Sequence, residues 1–469
     1  MKSRKHIWYA ITMLLFLTYQ KGNAQMKDAF IDSIPASWEY ASEFSQDFPT
    51  DDKWWKLFND PLLDSLIAEG EARNFNLLQA ARRIEMSRQS LRKTKSAYYP
   101  QFNLSLGWNK ERESGRLSKL STGAATTAYY TAEIDMSWEI DLFGKITSSA
   151  KEARANVNAS RADYAAMSIS ICSEIAIDYF QLRMLQEEYA VTEEHVESQK
   201  KVLDIAEARK ETGLASGLDV AQAKTVYYST IANLSSLKTQ IATTINAIAV
   251  LTGTYPEEMR KRLSVSGPLP SPIQPIAAGV PMDLIRRRPD VVEAEYELAS
   301  YAAALGVAKK DFLPTLTLEG SIGSSSWDFG KLMTKNSFTY SIVPTLSWTI
   351  FSGFARSADV ASAKEQMLIG IDNYNLTLLT AIEEVDNAMI TYFESLVYEE
   401  RLSEVLSNAQ LSFQLALDNY KQGLDAFINV ADAQITVLQY ANEVVEAKGS
   451  SLTALISLYK ALGGGWSMK

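Results

Sequence analysis

The sequence predicts an α+β membrane protein built by internal duplication. Each chain lends four strands to a transmembrane β-barrel that several copies complete together, and the strands lead into α-helices much longer than a globular core holds. Three observations predict it. The stretch "TAEIDMSWEI" alternates throughout, with Ala132, Ile134, Met136, Trp138 and Ile140 on one side and Thr131, Glu133, Asp135, Ser137 and Glu139 on the other; period two is the mark of a strand with one greasy and one wet face. From Lys145 to Thr212 there is neither Gly nor Pro, and at ~1.5 Å per residue such a helix is on the order of 100 Å long. Finally, a displacement of about 210 positions lays one half of the chain on the other, the self-similarity that has to be sought before any fold is assigned.

The duplication rests on several landmarks in the same order. "TGLASGLDVAQA" (212–223) matches "QGLDAFINVADA" (422–433), with Gly213 on Gly423, Leu214 on Leu424, Val220 on Val430 and Ala223 on Ala433; Trp138 falls on Trp348. "SAYYPQFNLSLGW" meets "KDFLPTLTLEGSI" with Pro100 on Pro314. Each copy therefore repeats one plan of helix, two strands, very long helix, Gly-marked turn and second helix.

Taken in order, residues 1–24 read as a cleaved secretory signal: Lys2, Arg4 and Lys5 start it, Ile7 to Leu17 form a short apolar core, and Gly22-Asn23-Ala24 precede Gln25. That core is too short for a membrane-spanning helix, which needs ~20 apolar residues. Residues 25–97 form an N-terminal segment and first helix. The first hairpin, 98–141, has strands at 101–109 and 130–140 joined by a polar stretch; residues 142–255 carry a long helix, a turn at Gly213 and a return helix. Residues 256–311 are a Pro-containing connection and a helix, read as ordered because apolar residues interleave the prolines. The second hairpin, 312–351, has strands at 315–323 and 338–350. Residues 352–462 repeat long helix, turn and return helix, with Gly370 as the one interruption of Phe354 to Gln422, and 463–469 are a tail.

An antiparallel sheet on a soluble core also alternates. Three features favour lipid. The strands are about 9 to 12 residues long, as a tilted bilayer crossing requires. Trp108, Trp138 and Trp348 sit at or near strand ends on the apolar face, with Tyr340 on the same face, where interfacial aromatics belong. The helices also carry their own seams, such as Ile169, Cys172 and Ala176 beside Ile171, Ile175 and Leu182, so no spare apolar layer is left to cover the sheet. Four strands cannot close, and an open edge in lipid costs several kcal/mol per unpaired backbone group. Two copies are the minimum and three give twelve strands. The polar face then lines a lumen, made acidic by Glu133, Asp135, Glu139 and Glu319, and helices with two seams form a ring that extends it.

Loss of the signal removes four bases and no acid, taking the formal charge from −10 to −14; nucleic acid, which needs a basic surface, is not an expected partner. Cys172 is the only cysteine, so no disulfide framework exists, and Gln25 at the cleavage point offers no thiol for lipid. His6 and His195 are the only histidines, too few for a His-based triad or a His-rich metal site. No enzyme activity, cofactor or metal is expected. A non-channel coiled-coil structural protein is the alternative from another class.

The landmarks "WWKLFNDPLLDSLIAEG" (54–70), "WEIDLFGK" (138–145), "RRRPDVVEAE" (286–295), "LGVAKKDFLPTLTLEG" (305–320) and the two turns together resemble the TolC/NodT family of outer-membrane efflux proteins over essentially the whole mature chain. The resemblance implies a homotrimer with a twelve-stranded barrel, a helical tunnel through the periplasm, and an equatorial belt built partly from the termini. It implies docking to a periplasmic adaptor protein and to an energised inner-membrane pump, the duct itself being passive. In the family's Asp-Val-Leu-Asp pattern at the closed tip, this chain has Asn429, Val430, Ala431 and Asp432: Asp432 carries over, Asn429 does not, and Asp425 stands nearby as a second acid. Gly213, Leu214, Ser216 and Gly217 of the first turn and Gly423 and Leu424 of the second are the implied adaptor contacts. The segment at 54–70 resembles members serving proton-driven pumps of the resistance-nodulation-division type, with drugs and toxic compounds as cargo; a duct for type I protein secretion is the alternative.

Overall fold

The computed structural model describes residues 53–112, 114, 126–270 and 287–464. The expected signal, the start of the N-terminal segment, most of the first hairpin's loop, the centre of the Pro-containing connection and residues 465–469 lie outside the described residues.

A 3-10 turn at Trp54–Phe58 leads into α1 (Pro61–Arg73) and α2 (Phe75–Ser96), then β1 (Gln101–Arg112), β2 (Thr126–Ile140), α3 (Lys145–Glu211) and α4 (Gly217–Leu251). After α5 (Pro256–Leu263), the second copy runs α6 (Pro289–Lys310), β3 (Thr315–Ser326), β4 (Phe338–Ser347), α7 (Ala355–Gln422) and α8 (Phe427–Ala461). The chain divides into two compact units: one holds residues 80–163 and 293–374, the other residues up to 79, 164–292 and from 375 onward. The helices α3 and α7 contribute to both.

In the first unit the four strands form one antiparallel sheet in the order β1-β2-β3-β4, so β1 and β4 are edges. The first hairpin is longer than its apolar pattern indicates, reaching Arg112 and starting again at Thr126, because its polar ends continue the ladder. The last strand is shorter, ending at Ser347. There the Trp348 indole N–H donates to the Phe312 carbonyl (2.9 Å), as Trp138 does to the Tyr98 carbonyl (3.1 Å) in the first copy.

The strand-to-helix corner of copy one is built by the motif residues themselves. Asp141 accepts from the N–H groups of Ile146 and Thr147 (both 2.9 Å), capping α3. Gly144 takes a left-handed φ of 75°, and its carbonyl receives the Lys310 ammonium (2.8 Å) while Lys145 pairs with Asp311 (2.5 Å). "WEIDLFGK" and "AKKD" are thus two sides of one corner. Gly370 does not interrupt α7; a Cβ there would lie 2.7 Å from the Tyr301 ring, so close helix approach accounts for it.

In the second unit the N-terminal landmark is a core plug. Trp54 stacks on Tyr459 (5.4 Å, 11°), Phe58 meets Phe180 (4.7 Å), and Asp60 caps α1 by accepting from Leu62 and Leu63 N–H. Buried Arg288, from "RRRPD", donates to the Ala461 carbonyl (2.7 Å) at the end of α8 and pairs with Asp290 (2.7 Å) and Glu384 (2.5 Å). A buried charge with three acceptors is satisfied; stripped of them it would be costly.

Candidate conducting surface and helical turns

The register decides what each face of the sheet carries. Opposite residues in an antiparallel ladder share a face, and the pairs Ser105↔Glu133, Asn103↔Asp135, Ser137↔Glu319 and Glu139↔Thr317 place the four sequence-predicted acids together on one of them. Glu111, opposite Thr127, belongs to the same face; sequence reasoning passed it over because the apolar alternation stops before it. Ser105 donates to the Asp135 carboxylate (3.0 Å), and the hydroxyl pairs Thr315/Ser347 (2.7 Å) and Ser321/Ser341 (2.9 Å) extend the polar surface towards β4. This face is acidic over three strands and, apart from Val343, carries hydroxyls on the fourth.

On the other face Phe102, Leu104, Leu106, Trp108, Tyr340, Ile342 and Leu346 are all more than half exposed, Leu106 at 73%. An exposed apolar surface of this extent needs a partner. Trp138 is half-buried, its polar edge tied to Tyr98, while Trp348 stays exposed. The indoles keep their apolar faces outward and satisfy their N–H groups at home.

The two turns are built alike. Gly213 and Gly423 both have φ of 77°. Gly213 N–H donates to Lys210 and Leu214 N–H to Arg209; Gly423 and Leu424 donate to Tyr420 and Asn419 in the same pattern. This is the Schellman helix end, which demands a left-handed residue after the last helical one. Leu214 and Leu424 are left 68% and 73% exposed at the tips, and Ser216 and Gly217 are exposed beside the first. The turns then diverge. Ser216 forms a reciprocal capping box with Asp219, whereas Ala426 caps α8 with no side chain.

Of the residues singled out at the tip, two are in direct contact. Asp425 Oδ1 accepts from Ala426 N–H (2.8 Å) and from the Asn429 amide (2.6 Å), so these two secure the start of α8. Asp432 is exposed on the helix beyond them. What joins the two turns is a set the sequence did not reveal. The Arg209 guanidinium donates to the Lys421 carbonyl (2.7 Å) and to the Leu214 carbonyl (3.4 Å), and stands 4.8 Å over the Tyr420 ring. The Tyr420 hydroxyl donates to Asp219 (3.4 Å), and the ring meets Phe427 edge-on (5.2 Å). Beneath it Val202, Leu203, Ala206, Val220, Val430 and Ala431 form a shared core. Burial pushes the Tyr420 hydroxyl above its usual range, helped by the Asp219 charge, so it stays protonated and able to donate.

Burial drives the Cys172 thiol up to about 12, with Glu71 nearby, leaving no thiolate for chemistry. Among the described residues no group of His, Cys, Asp and Glu is placed to hold a metal ion, and no helix is long and apolar enough to cross a membrane.

The model of the family described as "Outer membrane efflux protein" matches the chain at residues 66–254 and again at 280–464, one match for each copy of the repeat. The chain belongs to that family. Among its relatives, the toluene efflux pump outer membrane protein TtgC of Pseudomonas putida is 28% identical over 88% of this chain and 85% of its own. Nodulation protein T of Rhizobium leguminosarum bv. trifolii is 27% identical over 92% of both. Among solved structures, the outer-membrane channel OprN superposes with a TM-score of 0.87 at 26% identity, covering 92% of this chain and 96% of that one. As an outer membrane efflux protein the chain is a TolC-like duct of the outer membrane. Four strands per subunit build a β-barrel completed by trimerisation, and the long helices build a helical barrel. The family supplies the outer-membrane part of tripartite efflux systems and consists of channels rather than enzymes.

Proposed function

We propose that this chain is the passive exit duct for small toxic molecules, taking cargo from a proton-driven inner-membrane pump of the resistance-nodulation-division type through a periplasmic adaptor. The observation that carries this reading is the sorting of the sheet into an acidic, hydroxyl-lined wall and an uncovered apolar one. A trimer of such sheets encloses water and meets lipid on the outside. The naming of TtgC for toluene efflux supports small organic cargo. Glu133, Asp135, Glu139 and Glu319 set the charge of the lumen, and the exposed Leu214 and Leu424 with Gly213, Ser216, Gly217 and Gly423 offer the adaptor its contact. At the tip, Asp432 forms the acidic ring, Asp425 and Asn429 fix the start of its helix, and the Arg209–Tyr420–Asp219 set latches the two turns together.

Reconstitution in planar bilayers tests the reading. The wild-type trimer conducts cations in preference to anions, and neutralising the four lumen acids to Gln lowers that preference. Asp432→Ala raises conductance and weakens block by divalent cations. A protein that inserts and carries no current defeats the duct, while unchanged block after Asp432→Ala removes only the gate assignment. Crosslinking from Leu214→Cys and Leu424→Cys in cells captures the adaptor.

A further inference from the structure

The charges of the sheet are separated by face without exception. Every acid on the strands, Glu111 included, has the parity of the lumen wall, and both bases, Lys110 and Arg112, have the parity of Leu104, Leu106 and Trp108. Two bases on the lipid-facing side of a barrel strand are strongly unfavourable at mid-bilayer and cost little near the interface. Their position along the strand resolves this. Lys110 lies two residues and Arg112 four residues beyond Trp108, about 7 and 14 Å along the strand, or roughly 5 and 10 Å along the membrane normal at a ~45° tilt. The headgroup layer beyond the hydrocarbon is about 5–7 Å deep on each side, so the Lys110 backbone lies within it and Arg112, above it, reaches down with its long side chain.

The same level carries further matching groups. Tyr130, opposite Trp108, meets Phe329 of the β3–β4 loop edge-on (5.4 Å), which sets Phe329 on the lipid-facing side of the strand ends, while Trp327 of the same loop meets Tyr129 (6.1 Å) on the other face. Phe329 and Met333 are 70% and 81% exposed, and Lys331 and Lys335 lie in the same loop, also exposed. Among the described residues of the β3–β4 loop one acid accompanies them, Asp328, which accepts from Gly330 N–H and stands 3.9 Å from Lys331, while Glu111, between the two strand bases, has the parity of the opposite face. Apolar band, aromatic belt and bases follow one another in the order of acyl chain, headgroup boundary and phosphate.

We propose that this outer rim is a lipid-docking collar that takes the phosphates of the phosphorylated glycolipid in the outer leaflet. Lys110, Arg112, Lys331 and Lys335 hold the phosphates, and Trp108, Phe329 and Met333 lie against the acyl chains. The occupant is committed by charge complementarity and by continuity with the lipid-facing surface below. Each trimer presents three such collars. The proposal rests on the outer-membrane barrel alone and is independent of the cargo and of the pump.

The test is native mass spectrometry of the trimer in dodecyl maltoside, titrated with bisphosphorylated lipid A, with its dephosphorylated form, and with inorganic phosphate. The wild type retains the bisphosphorylated lipid in preference to the dephosphorylated one. The variant K110Q/R112Q/K331Q/K335Q binds it at least about tenfold more weakly, since each base beside a negatively charged surface adds to the attraction and screening takes back only part of it. Neutralising Lys93, Lys201, Arg260 and Lys261, exposed and off the sheet, leaves binding unchanged. Should the quadruple variant fail to assemble, K110Q/R112Q alone gives a smaller loss in the same direction. Equal retention of both lipids, wild-type binding by an assembled collar variant, or full displacement of the lipid by millimolar phosphate overturns the proposal, the last by showing a free-anion site.

Discussion

The two copies of the repeat agree in backbone and differ in chemistry. Gly213 and Gly423 share one φ and one hydrogen-bond pattern, and Trp138 and Trp348 tie back to the residue two before each hairpin's proline. Around these fixed points, copy one has a capping box where copy two has Ala426, and acids on β2 where β4 has hydroxyls. At the strand-to-helix corner Gly144 of copy one corresponds to Phe354, which holds the same left-handed φ (69°) at a steric cost. The positions the duct needs for its shape are held twice, and the positions that meet solute, lipid or the neighbouring subunit were free to diverge.

The sharpest break of this comparison lies in the sheet. Ile134→Arg puts a charge on the lipid face and should cost ~2–4 kcal/mol per chain, abolishing the trimer in size-exclusion chromatography of the detergent-solubilised protein. Ser137→Arg, three residues on but facing the acids, should leave it intact. If both variants assemble equally, the assignment of the faces is wrong.

Next comes a buried acid present in one copy only. Glu188 of α3 is 6% exposed with one oxygen unpartnered, and its counterpart Tyr398 is exposed. Burial lifts the Glu188 carboxyl to about 7, with Glu446 adding repulsion. A carboxyl raised in the folded state stabilises it fully below the unfolded value, and that contribution is lost as the pH climbs through about 7. Glu188→Gln should therefore raise the melting temperature by a few degrees at pH 8, with the gain vanishing by pH 4 to 5. A difference independent of pH would refute the titration.

The turns sharpen the comparison from its conserved side. Gly213→Ala and Gly423→Ala should each cost ~1–2 kcal/mol, and equally, because both force a Cβ into the left-handed region. Smallest are the caps: Ser216→Ala loses ~1 kcal/mol, while Ala426→Ser gains a few tenths to ~1. Chemical denaturation of the detergent-solubilised trimer reads both pairs.

Much of this was legible in the sequence because it is periodic or local. Strand alternation, Gly-free helix runs and turn glycines are signals of neighbours along the chain, and the faces they assign to Glu133, Asp135, Glu139 and Glu319 agree with the register. The strand ends were not legible, since Lys110 to Arg112 and Thr126 to Tyr129 continue the ladder without an apolar pattern. Nor was the Arg209–Tyr420–Asp219 set. Arg209 reads as an ordinary base in a helix's last turn, and the Tyr420 ring and Lys421 carbonyl it meets lie in another helix about 200 residues away. The buried role of Arg288 was hidden for the same reason, as three consecutive arginines look like surface.

The sorting of side chains by parity also restricts how subunits join. When the open edge of β4 in one subunit pairs with β1 of the next, the pleats must interlock, and a displacement of a single residue would oblige one subunit to turn its acids towards hydrocarbon. Neighbours can therefore settle only into alignments that differ by an even number of residues, and half of all conceivable closures are rejected before the ring is complete.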